Sequence, residues 1–146
     1  MFGWKRLARR LPGWTVAALA LAAAAGCGKG TYPVQGKVIF KDGSPIDPLV
    51  GGQVVFEPVD KTAKHGSRGE IQPGGSFHLG TFKNDDGAFP GDYRALVIPP
   101  PPPPRKDEKR RPKPVIDPRY ESLKDSPLKF TVTQGSNEFT VTVAKP

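Results

Sequence analysis

From residue 31 onward, the apolar side chains of this sequence recur mainly at alternate positions, in short runs closed by glycine, proline or an Asp-Gly pair. A backbone with that spacing shows one apolar face only when it is extended, because successive strand side chains point to opposite sides. No helical period competes with it, and 18 prolines and 17 glycines in 146 residues leave little room for long helices. The constraint is therefore strong: the chain folds as short strands and turns, or not at all.

The segments follow in order. "VQGKVIFK" (34–41) ends at Asp42-Gly43, and "GGQVVFEP" (51–58) is closed by Pro58. "SRGEIQ" (67–72) and "SFHLGTF" (76–82) flank Pro73-Gly74, a favoured type II pair, which predicts a hairpin. "YRALVIP" (93–99) follows the turn Phe89-Pro90-Gly91-Asp92, and "LKFTVT" (128–133) and "EFTVTVA" (138–144) flank "QGSN", which predicts a terminal hairpin. Seven strands with one apolar face each predict an all-β, two-sheet antiparallel sandwich. Its expected core is Val34, Val38, Phe40, Val54, Phe56, Ile71, Phe77, Leu79, Tyr93, Ala95, Val97, Leu128, Phe130, Val132, Phe139, Val141 and Val143. At about 1.5 to 3 kcal/mol for each large side chain buried, such a set suits one domain of roughly 100 residues.

Residues 1–26 are of another kind. "MFGWKRLARRLPGW" carries Lys5, Arg6, Arg9 and Arg10 with no acid, and an alanine-rich run to Gly26 follows. Basic, apolar, then small is the order of a secretory signal peptide. The 13 residues of 14–26 fall short of the span of about 20 that crosses a membrane. Arg9 and Arg10 leave the export route open between the general and twin-arginine pathways.

Cys27 is the only cysteine, so the chain has no internal disulfide, no CxxC redox pair and no cysteine-rich zinc site. "AAGC" (24–27) resembles the lipobox of bacterial lipoproteins. The resemblance implies cleavage after Gly26, a diacylglyceryl thioether on Cys27 and acylation of the new amino terminus. Ala25 and Gly26 supply the small side chains this processing needs, while Ala24 stands where the family usually has leucine. Gly28, rather than aspartate, implies an exported protein anchored in the outer membrane or on the periplasmic face of the envelope. Two or more acyl chains anchor durably where one does not. Residues 27–33 then form a lipidated tether, and 34–146 the sandwich domain.

The segments "VQGKVIFKDGSPI", "GGQVVFEP", "GGSFHLGTFKNDDGAFPGDYRALVI" and "DPRYESLKDSPLKFTVTQGSNEFTVTVA" resemble, in this order, small bacterial lipoproteins with a transthyretin-like or carboxypeptidase-regulatory-like domain. The resemblance spans nearly all of 31–146 and implies a seven-stranded Greek-key sandwich, related in architecture to immunoglobulin-like domains. It implies little about activity, since fold alone carries none; the expectation of a non-enzymatic structural or interaction module rests on the lack of a catalytic motif and the presence of an anchor. Tyr93, after its Pro-Gly turn, is expected to anchor the sandwich corner through its hydroxyl.

The insertion at 99–117 departs from that family. It opens with six prolines and then gathers Arg105, Lys106, Lys109, Arg110, Arg111 and Lys113 around Asp107 and Glu108. Of 22 Lys and Arg, four lie in 1–26 and six in this loop, leaving 12 to balance the 12 acids that remain when Asp107 and Glu108 are set aside from 14. The net positive charge of the processed chain thus resides in one loop. Those six residues are candidate contacts for an anionic surface such as lipid headgroups or acidic envelope polymer, and another envelope protein is a further candidate partner of the module. The alternative function is therefore carbohydrate or anionic-polymer binding. A solvated loop insertion explains the same residues without a partner.

Nucleic acid is excluded by export and by the lack of aromatics among these cations. "NDDG" (84–87) reads as a turn, because the spacing of a calcium loop is missing. His65 and His78 have no partner at metal-ligand spacing, and no nucleophile motif occurs, so no catalytic residue, metal or cofactor is expected. His78 alternates with Phe77 and Leu79 and is expected to face outward. Trp4 and Trp14 both lie in the signal, leaving Tyr32, Tyr93 and Tyr120 as candidate sugar-stacking rings.

Overall fold

The structure, a computed structural model, describes residues 30–104 and 112–146. The signal peptide, Cys27, Arg105, Lys106, Lys109, Arg110 and Arg111 lie outside the described residues.

Seven strands form where the alternation places them: β1 (Val34–Phe40), β2 (Gln53–Pro58), β3 (Ser67–Glu70), β4 (Ser76–His78), β5 (Gly91–Ile98), β6 (Lys129–Val132) and β7 (Asn137–Val143). They build two sheets, β4-β1-β7 and β3-β2-β5-β6, which close on one core as a β-sandwich. Every expected core residue is buried except Phe130 and Phe139, which are half-buried against it. Leu49, Ala88, Ile116 and Tyr120 join them from the connections between strands.

Three expectations about pairing are corrected. The sandwich is not antiparallel throughout, since β1 and β7 run parallel from Val34 beside Asn137 to Phe40 beside Val143. The predicted terminal hairpin is absent: β6 pairs with β5, while β7 crosses to the other sheet. A hairpin would have laid the apolar faces of β6 and β7 side by side, whereas the crossing sets them against each other across the core. Phe130 and Phe139 meet there with ring centroids 5.0 Å apart, and Phe56 of β2 stacks on Phe130 at 5.1 Å.

Asn137 makes that crossing. Its carboxamide accepts from the Thr133 amide (2.9 Å) and donates to the carbonyls of Thr133 (2.9 Å), Gly135 (3.0 Å) and Pro33 (3.3 Å). Its own amide donates to Pro33, which opens the pairing of β7 with β1.

The third correction concerns β3 and β4. The turn between them is as expected, with Gly74 at φ 83° and ψ −1° in the third position of a type II turn, closed by Gly75 N–H to the Gln72 carbonyl at 2.8 Å. The strands it joins nevertheless enter different sheets, β3 beside β2 and β4 beside β1, and keep only a bridge between Arg68 and Gly80. Both chain reversals thus serve as corners of the sandwich.

The 99–117 insertion is tied down at both ends. Pro99 and Pro100 are half-buried, Ile116 is fully buried, and the Asp117 amide donates to the Ala144 carbonyl at 2.9 Å. The prolines between, 101–104, and Lys113 are exposed.

Candidate functional site

The loops 59–66 and 79–90 meet at the end of the sandwich where β1 begins. Tyr32, just before β1, exchanges two backbone hydrogen bonds with Ala88, at 2.8 and 3.0 Å. The approach is so close that a Cβ on Gly87 (φ +85°) would lie 1.9 Å from the Tyr32 carbonyl oxygen, which explains the glycine. Residues 32 and 33, read from the sequence as tether, therefore already belong to the folded body.

Side-chain carboxylates shape both loops. Asp86 accepts from the backbone amides of Thr81 (2.6 Å), Phe82 (3.3 Å) and Lys83 (3.3 Å), and the Thr81 hydroxyl donates to the Gly87 carbonyl at 2.7 Å. "NDDG" is thus a turn, as its composition suggested. Asp60 accepts from the amide and hydroxyl of Thr62 at 2.8 and 2.7 Å, and these bonds hold its carboxyl below the usual range. The Tyr93 hydroxyl donates to the Phe89 carbonyl at 2.9 Å and so fixes the corner expected of it. Burial, partly offset by that bond, raises its pKa above the ordinary tyrosine value.

What these loops present is a cluster of three rings. His65 lies 5.1 Å from Phe82 edge-on and 6.0 Å from Phe89 nearly face to face, and Phe82 and Phe89 meet edge-on at 5.9 Å. Such spacings suit attractive aromatic pairs. Unlike core rings, these are open to solvent: Phe82 is 47% exposed, His65 is exposed and Phe89 half-buried. Beside them runs an open groove of about 370 Å³ lined by Pro58, Asp60, Lys64, His65, Phe89 and Tyr93. A second hollow of about 330 Å³ lies over β3, with Arg68, Glu70, His78 and Asp85 on its walls.

The sequence had not pointed to the ring cluster, although one signal for it was present. Continuing the alternation of Phe77 and Leu79 puts Phe82 on the outward side, where a large apolar residue is out of place. Phe89 was hidden as a turn residue and His65 as a loop polar. His78 is exposed as expected, and it stands apart from His65, one in each hollow. Of the three tyrosines, Tyr93 and Tyr120 are buried and serve the core, while Tyr32 is half-buried in its bridge to Ala88.

Among the described residues no three His, Cys, Asp or Glu side chains converge as a metal site would require. Nor is any helix there long and apolar enough to cross a membrane. Comparison of the chain with protein-family models, curated proteins and solved structures finds no match.

Proposed function

We propose that this chain is an exported envelope lipoprotein, anchored to a membrane through acylated Cys27, whose sandwich acts as a non-enzymatic structural or interaction module. The observation that carries this reading is the shortness of the link between thiol and fold. Gly30, three positions after Cys27, already lies against the Phe89 ring, and Tyr32 is hydrogen-bonded to Ala88. A module joined so closely to an anchor works at the bilayer surface rather than at the end of a long tether. The non-enzymatic part of the reading is supported by how the polar groups are used. Asp60, Asp86 and Asn137 hold turns, and the Ser126 hydroxyl donates to the Ala95 carbonyl at 2.5 Å.

Within this reading the strands form a Greek-key sandwich of the transthyretin-like kind, and Gly28 favours the outer membrane or the periplasmic face. A second reading, binding of an anionic envelope polymer through 105–113, is favoured by the concentration of net charge there. Purified wall polymer that still binds after deletion of 105–113 would refute that second reading.

Mass spectrometry of the protein from the membrane fraction tests the main reading. The expected species begins at Cys27 and carries a diacylglyceryl thioether and an acylated amine. A chain with an unmodified Cys27 would overturn it.

A further inference from the structure

We propose that the end of the sandwich bearing His65, Phe82 and Phe89 is a membrane-docking face, which seats these rings among the lipid headgroups beside the anchor. The proposal rests on acylation of Cys27 and adds to it a defined orientation of the domain.

The first argument is reach. A Cβ on Gly30 would stand 3.1 Å from Cε1 of Phe89, so the chain lies against the ring. Gly30 is three residue steps from Cys27, and three steps extend at most about 10 Å. The thioether of an acylated cysteine lies near the glycerol level of the leaflet, at the base of a headgroup layer roughly 5 to 8 Å thick. The ring cluster therefore cannot leave the neighbourhood of that layer.

The second argument is what the face offers. Phe82 at 47% exposure and Val59 at 56% are the most exposed large apolar residues of this end. Rings and amphipathic side chains concentrate at the membrane interface, where one part is dry and another wet. Lys61, Lys64 and Lys83, on the same two loops, are exposed and make no ion pair among the described residues. Asp60 and Asp86 accept from backbone amides at this end and Asp92 accepts from the Thr131 hydroxyl at 2.6 Å, while Asp85 is exposed on the same loop as Lys83. These acids offset the lysines in number, so the rings rather than net charge carry the docking, and Lys61, Lys64 and Lys83 serve as contacts for lipid phosphates.

The third argument is that the loops are built to hold the rings in place. Asp86 gathers three successive amides around Phe82, and the Tyr93 hydroxyl fixes the Phe89 carbonyl. Rings left partly dry and partly wet on rigid loops are costly in water unless something covers them.

The test uses the absence of tryptophan from residues 27–146. The processed, acylated protein is reconstituted in vesicles of phosphatidylethanolamine and phosphatidylglycerol, with or without bromine on the acyl chains, as Phe82→Trp, Val59→Trp and Ile39→Trp. Ile39, near the far end of β1, is 37% exposed and serves as control. The indoles at 82 and 59 are expected to shift to the blue and lose intensity in brominated vesicles, while that at 39 stays unchanged. Equal, unquenched emission from all three in vesicle-bound protein overturns docking and leaves anchoring intact. An unmodified Cys27 by mass removes both. A response of positions 82 and 59 to a soluble peptidoglycan fragment but not to lipid also overturns docking, in favour of a glycan-binding face.

Discussion

Two groups of three rings occupy this molecule at almost the same internal spacing. Phe56, Phe130 and Phe139 lie 5.0 to 5.9 Å apart between the two sheets, and His65, Phe82 and Phe89 lie 5.1 to 6.0 Å apart on two loops. Ring-ring attraction is therefore similar in both, and it does not distinguish them. The difference is water. Phe56 is fully buried and joins strands of both sheets, so its ring contributes the full gain of removing apolar area from solvent. Phe82 keeps nearly half its surface wet and meets His65 and Phe89 on neighbouring loops. The inner group holds the fold, and the outer one is the group proposed to meet the membrane.

The largest expected effect lies inside. Phe56→Ala removes the ring that contacts Tyr93, Phe130 and Phe139 and should lower stability by about 4 kcal/mol, read from the denaturant midpoint. A loss below about 1 kcal/mol would break the comparison at its root. Next comes the corner that sets β6 and β7 face to face. Asn137→Ala leaves the Thr133 amide and three carbonyls without this partner and should cost about 2 kcal/mol, whereas an exposed hairpin residue would cost less than about 0.5 kcal/mol.

Tyr93 links the two regions, with its ring 5.9 Å from Phe56 and its hydroxyl on Phe89. Tyr93→Phe should cost about 1 kcal/mol, or roughly 4 °C in Tm. The pH dependence sharpens this. Because burial raises the Tyr93 pKa, the folded chain keeps its proton where the unfolded chain releases it. That contribution is complete below the ordinary value of 10.0 and is lost as pH rises through the higher folded value. The gap between wild type and Tyr93→Phe should therefore narrow in alkali, and a constant gap from pH 8 to 11 would contradict it.

The same contrast explains what could be read in advance. Period-two alternation depends on each strand alone, so the strands and nearly the whole core, Val34 through Val143, were legible. Partner choice depends on residues far apart in sequence. Nothing local to "EFTVTVA" announces that Val141 lies beside Val38, and the turn chemistry of "QGSN" concealed the carboxamide that sends β7 across. Leu49, Ile116 and Tyr120 were missed because buried residues in connections carry no period. The ring cluster escaped for a related reason: His65 and Phe89 belong to separate loops, and only folding brings them together.

The division of labour between the two ring groups is tested most directly by the denaturant midpoint of Phe82→Ala, measured beside that of wild type. The expected change is below about 1 kcal/mol, the range of a half-exposed loop residue. A loss of about 4 kcal/mol, equal to that of Phe56→Ala, would place the outer rings among the supports of the fold and contradict the account.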